Sequence, residues 1–436
     1  MPSYSGQLQA NVAGMTMPPQ TPPPITPAPA DAPAAQGRWP ALVLICLGVI
    51  GVMTTWFSAT AVVPELTLAW GLSTAQAAWL TNAVQLGFVA GALAASLVNL
   101  PDIMPLPRLM TIAALLAAVA NAALLLDPTP AMAIAARFIT GVALAGVYPP
   151  ALKLMATWFI RGRGLAMGLL ISGLTLGSSL PHLLRALTSG LDWRAVVIAT
   201  TLATLASALV FALTTREGPH GMGRATFDPR QMLAVLRDRP LMLANIGYFG
   251  HMWELYGMWA WFLAFASAAQ AGGVSPFPFG SASMLAFVVV AVGVVGCIAG
   301  GLLSDRIGRC RTTIWMMLIS GTCAALIGLA YDGPAWVLAA LALVWGITVI
   351  GDSAQFSTAV TELAQPQFTG TALALQLGVG FALTVVAIRA LPLFANWMGG
   401  WQWAFVMLVP GPIVGAWAMA LLRRDPRATR MAGGAR

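Results

Sequence analysis

Charge is what this 436-residue sequence has least of. Only 8% of its residues are Asp, Glu, Lys or Arg, against roughly 25% in a soluble globular domain. Its 22 basic residues include a single lysine, Lys153. With 58% hydrophobic residues, the chain has too little polar surface to enclose a water-soluble core, so a soluble fold is excluded and a membrane protein is implied. Cysteine is scarce as well. Cys46, Cys297, Cys310 and Cys323 follow no metal-ligand or disulfide-framework spacing, and three fall in apolar segments, so inert packing is expected. No nucleophile, base and orienting group recur at workable spacing, and there is no phosphate-binding glycine loop or metal set. Neither an enzyme nor a cofactor is expected. The net charge of +8 does not imply nucleic acid, because no basic patch is interleaved with exposed aromatics.

What the sequence has is long apolar runs. They are continuous over about 20 residues rather than alternating, which selects helices over a barrel, since lipid offers backbone groups no hydrogen-bond partner. Windows bounded by Pro, Gly and charge predict twelve helices: 40–64, 74–98, 107–126, 130–158, 163–187, 193–214, 241–269, 281–303, 311–331, 334–362, 369–393 and 401–422. Arginines set their direction. One set of loops holds Arg108, Arg161, Arg163, Arg216, Arg224, Arg230, Arg237, Arg239, Arg306, Arg309 and Arg311, with Arg423, Arg424, Arg427, Arg430 and Arg436 after the last helix; the opposite loops hold little beyond Arg194. By the positive-inside rule, both termini are expected in the cytoplasm of a bacterial cell, with the protein in its inner membrane.

Residues 1–38 contain nine prolines and read as a disordered tail with no signal-peptide pattern, which makes the first helix an expected uncleaved anchor. The rest divides into a six-helix bundle at 39–214, a hydrophilic linker at 215–240, a second bundle at 241–424 and a short tail at 425–436. Within the linker, DPRQMLAVLRDR reads either as a short amphipathic helix starting at Asp228 or as a solvated loop. The halves echo each other. Gly141 and Gly146 frame GVALAG in the fourth helix, and Gly346 and Gly351 frame GITVIG in the tenth. The fifth helix ends near Arg185-Ala186-Leu187, the eleventh near Arg389-Ala390-Leu391. Such a duplication suits a site lying between two bundles that rock against each other.

The segment GGLLSDRIGRCRT, at 300–312, resembles the loop signature of the major facilitator superfamily, with Gly301, Asp305, Arg306, Gly308, Arg309 and Arg311 in place. The resemblance spans roughly 39–424 and implies two pseudo-symmetric six-helix bundles working by alternating access. It also implies a conformational latch at those six residues; the alternative is that these charges serve only to set topology. ARFITGVALAG, at 136–146, resembles the family's fourth-helix motif, in which the arginine matched by Arg137 is associated with proton coupling. The first half departs from the pattern, with Ala95 where the latch aspartate would fall. The fifth helix lacks the Gly-Pro of the antiporter motif, and helices two and eight carry no arginine of the nitrate-branch kind.

A charge at bilayer mid-depth costs about 2.5–3.5 kcal/mol on insertion scales, so each one needs a reason. At helical spacing His251, Glu254, Met258 and Trp261 share one face, so His251 and Glu254 are expected to look together into a central cavity. Glu254 is then the candidate carrier of a coupling proton, tuned by His251; the alternative is a fixed pair with an arginine. Asp352 reads as a second titrating or substrate-binding group, or as the partner of an arginine. Lys153, after Pro149 and Pro150, either binds an anion or snorkels to the interface. Arg185 and Arg389 either form an electropositive vestibule, beside His182, or point outward; Arg137 lies deeper and reads as inward. Tyr248, Trp253, Tyr256 and Trp259 either line the site or make helix contacts. Thr54, Thr55, Trp56 and Ser58 occupy the corresponding part of helix one.

The site is therefore expected between helices one and seven. The expectation is a monomeric, proton-coupled secondary transporter of a small organic solute, with an anion favoured because embedded cations outnumber anions. A proton-driven efflux pump for amphipathic drugs or toxic metabolites is the first alternative, and a non-transporting solute sensor the second.

Overall fold

Twelve helical passes account for nearly all of the described chain in a computed structural model that describes residues 36–159, 163–188, 192–220, 231–273, 279–365 and 368–435. They are α1 (Arg38–Met53), α2 (Thr74–Leu97), α3 (Leu106–Leu126), α4 (Pro130–Trp158), α5 (Arg163–Leu187) and α6 (Arg194–Leu213). After the linker come α7 (Arg239–Ala271), α8 (Ala282–Ile307), α9 (Arg309–Ala330), α10 (Ala335–Leu363), α11 (Thr369–Trp397) and α12 (Ala404–Arg424). Ten of these are long and apolar enough to cross a membrane by length and composition. The other two are α1, which is interrupted, and α7, whose 33 residues include Asn245, Tyr248, His251 and Glu254. The predicted boundaries hold to within a few residues except in the first pass, expected as one helix over 40–64 and found broken after Met53.

The helix pairing repeats between the halves. In the first, α2 packs on α4, α3 on α6, and α1 on both α5 and α6. In the second, α8 packs on α10, α9 on α12, and α7 on both α11 and α12. Two seams join them, α2 against α11 and α5 against α8. The close pairs depend on glycine. A Cβ at Gly87 or Gly141 would collide with the carbonyl oxygens of Phe138 and Val84 where α2 crosses α4, and Gly296 and Gly346 stand in the same relation to Ile347 and Val289 where α8 crosses α10.

Several helices break, and the causes are local. Beyond Met53 the first pass restarts as Ser58–Ala61 and Val63–Trp70. The Thr54 and Thr55 hydroxyls donate to the carbonyls of Gly51 (2.7 Å) and Val52 (2.8 Å), competing with the helical ladder. Pro64 then opens the next piece, where its missing N–H costs nothing. The fourth pass breaks at Gly146 and Val147, ahead of Pro149 and Pro150. The tenth breaks at Asp352, between Ala335–Gly351 and Ser353–Leu363.

The tail of residues 1–35 lies outside the described residues, as do Asp228 and Pro229 of the linker. Within the remaining linker, Met232–Arg237 is helical. All four cysteines are free; three are buried and Cys46 is half-buried.

The glycine crossings yield a direct test. Gly141→Leu forces α2 and α4 apart and is expected to cost about 3 kcal/mol or more of stability, read as a lower midpoint of thermal unfolding in detergent. Gly301→Ala, whose new Cβ meets nothing within 4 Å, is expected to stay within about 0.5 kcal/mol of the parent. Equal midpoints for the two variants would refute the crossing geometry.

Candidate functional site

Where α1 breaks, two of its rings turn toward the other half. Trp56 lies 5.8 Å from Tyr256 and 5.9 Å from Phe381, centroid to centroid, and 5.1 Å from Phe88. Phe57 stacks with Tyr256 at 6.4 Å and meets Trp259 edge-on at 6.1 Å. Phe88 and Phe381 close the group at 4.6 Å. Six rings from α1, α2, α7 and α11 thus form the central contact between the halves, all of them buried. The indole N–H groups of Trp56 and Trp259 are buried within it without a partner. Just below lies an apolar cavity of about 80 Å³, walled by α2, α4 and α11 and including Phe88, Pro149, Gly378 and Phe381.

The break that releases these rings leaves carbonyls without their helical donors, and Arg137 takes them. Its side chain is fully buried. Nη1 donates to Thr55 O (2.8 Å) and Ser58 Oγ (3.2 Å), Nη2 to Trp56 O (2.5 Å), and Nε to Leu80 O (3.2 Å). Asn121 continues the network, accepting from Ser58 Oγ at 2.6 Å and donating to the Thr200 and Thr201 hydroxyls. No carboxylate pairs with Arg137 among the described residues. The arginine read as a coupling residue is, in this geometry, the pin of the interrupted first helix.

The His251 and Glu254 pair does not form. Both side chains are buried, but both turn into the second half, away from the rings. Glu254 accepts from Ser320 Oγ on α9 and Trp345 Nε1 on α10, each at 2.8 Å. No cation lies within ion-pair distance of it among the described residues. His251 Nδ1 instead sits 2.8 Å from Asp352 Oδ1 at the break in α10, with both side chains at most 3% exposed. That contact is close without hydrogen-bond alignment: Asp352 Oδ1 and His251 Nε2 have no hydrogen-bond partner. A helical wheel explains the correction. Tyr256 faces across the molecule, and Glu254, two residues earlier, points nearly opposite. Trp261, placed by spacing on the face with His251, likewise packs inward and donates to Ile388 O at 2.8 Å.

The remaining candidates divide. Trp56 and Tyr256 are central. Tyr248 rests on Gly380 of α11 and beside His251. Trp253 faces away, donating to Met407 O at 3.2 Å. Arg185 does not line an open vestibule: Nε and Nη2 hold Glu65 Oε1 at 2.9 and 2.7 Å, and Nη1 donates to Ser283 Oγ on α8 at 2.6 Å. Lys153 reaches Pro101 O at 3.3 Å. Arg389 differs, since its Nη1 is buried with no partner; the same holds for His182 Nδ1. In the loop signature, Gly308 turns the chain at φ +96°, which favours glycine. Arg309 donates to Asp305 (2.9 Å), Ser304 (2.6 Å), Gln355 (3.0 Å) and Glu362 (3.2 Å). These contacts all lie in the second half, and Arg306 and Arg311 are exposed and outside them. The spacing argument did not anticipate Phe57, Phe88, Phe381 or Glu65. They are single apolar or acidic residues whose significance appears only when four helices are brought together.

Comparison with known proteins settles the family. A sequence model described as Major Facilitator Superfamily matches residues 45–388. The chain belongs to the Major Facilitator Superfamily. Two solved structures of a bacterial homologue of the human lysosomal transporter Spinster share the fold. Both are 16% identical, and each covers 89% of this chain. The inward-facing occupied form has a TM-score of 0.66 over 97% of that chain, the unoccupied form 0.61 over 96%. Among curated members of the superfamily, the probable sulfoacetate transporter SauU of Cupriavidus necator is 24% identical over 44% of this chain and 49% of its own. A quinolone resistance transporter of Acinetobacter baumannii is 23% identical over 48% and 53%. The chain thus spans about half the length of these relatives. Membership of the superfamily, with ten helices long and apolar enough to cross a membrane among the described residues, makes this an integral membrane protein of a transporter family.

The pin at α1 makes a prediction. Arg137→Lys keeps the charge but loses the planar fork, and is expected to lower stability by about 2–3 kcal/mol as carbonyls go unpaired. Arg137→Met should cost at least as much. Thermal unfolding of the purified protein reads both, and a lysine variant as stable as the parent would show that the fork is not required.

Proposed function

We propose that this member of the Major Facilitator Superfamily is a proton-coupled secondary transporter of an amphipathic organic solute with an apolar or aromatic body. The observation that carries the reading is the six-ring contact at the middle of the molecule. A solute entering between the halves meets ring faces first, and replacing ring-on-ring contact by ring-on-solute contact preserves apolar burial. Three of the four cations that favoured a small anion are already engaged, Arg137 by carbonyls, Arg185 by Glu65 and Ser283, and Lys153 by Pro101 O.

The proton is assigned to the His251–Asp352 pair, with Glu254 on the adjoining turn. The pair bridges α7 to the break in α10, so a change in its charge alters the attachment of one helix to the other. In a medium of low dielectric an imidazolium–carboxylate pair is held far more tightly than in water, and its neutral form is held less. Loading or losing a proton there therefore biases the position of the lower part of α10. Glu254 ties α7 to α9 and α10 and positions the same break.

A small organic anion is the second reading. It is favoured by the buried, partnerless Nη1 of Arg389, a donor that an acidic group of the solute would satisfy.

Proteoliposomes with an imposed proton gradient separate these ideas. Asp352→Asn is expected to abolish gradient-driven accumulation of an amphipathic solute, by tenfold or more, while solute exchange across the membrane persists. Accumulation that still follows the gradient in this variant would overturn the assignment of the proton. Trp56→Ala should raise the apparent KM for the amphipathic solute about tenfold, the worth of one aromatic contact. Uptake of a small sulfonate or carboxylate that is insensitive to Trp56→Ala but lost in Arg389→Gln would instead establish the second reading.

A further inference from the structure

Arg306 and Arg311, left outside the latch, face the same space as Arg423 and Arg424. The four line an open groove of about 780 Å³ between the end of α8, the start of α9, the end of α12 and the chain at Gly434 and Ala435. All four are exposed, and none forms an ion pair among the described residues. Four exposed guanidinium groups gathered at one groove create a positive field that attracts an anion. Two plainer accounts explain less. Arginines counted for topology have no need to converge, and the C-terminal dipoles of α8 and α12 account for Arg306, Arg423 and Arg424 but not for Arg311 in the first turn of α9, where a cation is disfavoured.

The surface beside the groove states what kind of anion fits. Along α9, Arg311 is followed one turn later by Trp315, 58% exposed; along α12, Arg424 stands two turns after Trp417, 62% exposed. Each helix thus offers an outward stripe that is apolar along the bilayer, aromatic near its edge and cationic at its end. A free anion has no use for the apolar part. A molecule with a phosphate and two hydrocarbon chains uses all of it.

We propose that this groove is a binding site for an anionic phospholipid, its phosphate held by the Arg306, Arg311, Arg423 and Arg424 cluster and its chains lying on the Trp315 and Trp417 stripes. The inference is independent of what the protein transports. The test uses the full chain in nanodiscs of phosphatidylcholine doped with phosphatidylglycerol, with the retained lipids counted by native mass spectrometry. Phosphatidylglycerol should be retained above its share of the bulk, and each groove arginine changed to glutamine should lower that enrichment roughly five-fold, the surface worth of one cation. Arg108→Gln, an exposed arginine elsewhere, should leave it unchanged. Arg311→Gln and Arg424→Gln are made separately as well as in the quadruple variant, each checked by thermal unfolding in pure phosphatidylcholine. Unchanged enrichment in both single variants, equal retention of phosphatidylcholine, or displacement of the lipid by inorganic phosphate would each overturn the proposal.

Discussion

A peptide carbonyl inside a bilayer has no water to turn to, and that constraint organises this molecule around Arg137. The first helix is interrupted so that Trp56 and Phe57 can reach the opposite half, and the interruption strips Thr55 and Trp56 of their helical donors. A guanidinium offers five N–H groups in a fixed plane, and Arg137 spends them on those two carbonyls, on Ser58 and on Leu80. The charge in turn is kept in the apolar interior by the dipoles it satisfies. Ring presentation, helix break and buried cation form one interdependent arrangement, in which no part persists without the others.

The second half has a bridge of its own, built on an acid. Glu254 joins α7 to α9 and α10 through Ser320 and Trp345, as Arg137 joins α4 to α1 and, through Asn121, to α3 and α6. Both bridges lie behind the central face rather than on it. They bind the helices of each half to one another and leave the contact between halves to rings, hydroxyls, a thiol and the Arg185 guanidinium. This division suits bodies that move relative to each other while keeping their own shape.

The fold was legible because hydropathy, arginine placement and the glycine echoes of helices four and ten all report on backbone position, which lipid constrains severely. Even the error at helix one is instructive. Its apolar run reads as continuous, and the break comes from threonine hydroxyls and Pro64, which barely disturb hydropathy. The site was legible in its composition and not in its pairings. His251 and Glu254 are three apart and so share roughly one side of a helix, but which neighbour each meets depends on where α9 and α10 sit, which spacing on α7 does not encode. Arg185 illustrates the same limit, since its partner Glu65 lies 120 residues away. The loop signature identified the fold correctly while grouping arginines that the structure separates: Arg309 binds inward, and Arg306 and Arg311 face out.

The two seams between the halves differ in what their separation would cost. Along α5 and α8 the hydrogen-bonding contacts are Arg185 with Ser283, Ser172 with the carbonyl of Val294, and Thr175 with Cys297. Such groups can exchange each other for water nearly one for one. Along α2 and α11 the contacts are Phe88 against Phe381 and Leu93 against Gly378, and parting them wets carbon at about 25 cal/mol per Å². The work of opening therefore falls unequally, with one side behaving as a wet hinge and the other as a dry clasp. Whatever covers the rings while the clasp is open lowers that work, so occupancy and motion are linked through surface tension alone, before any charge is moved.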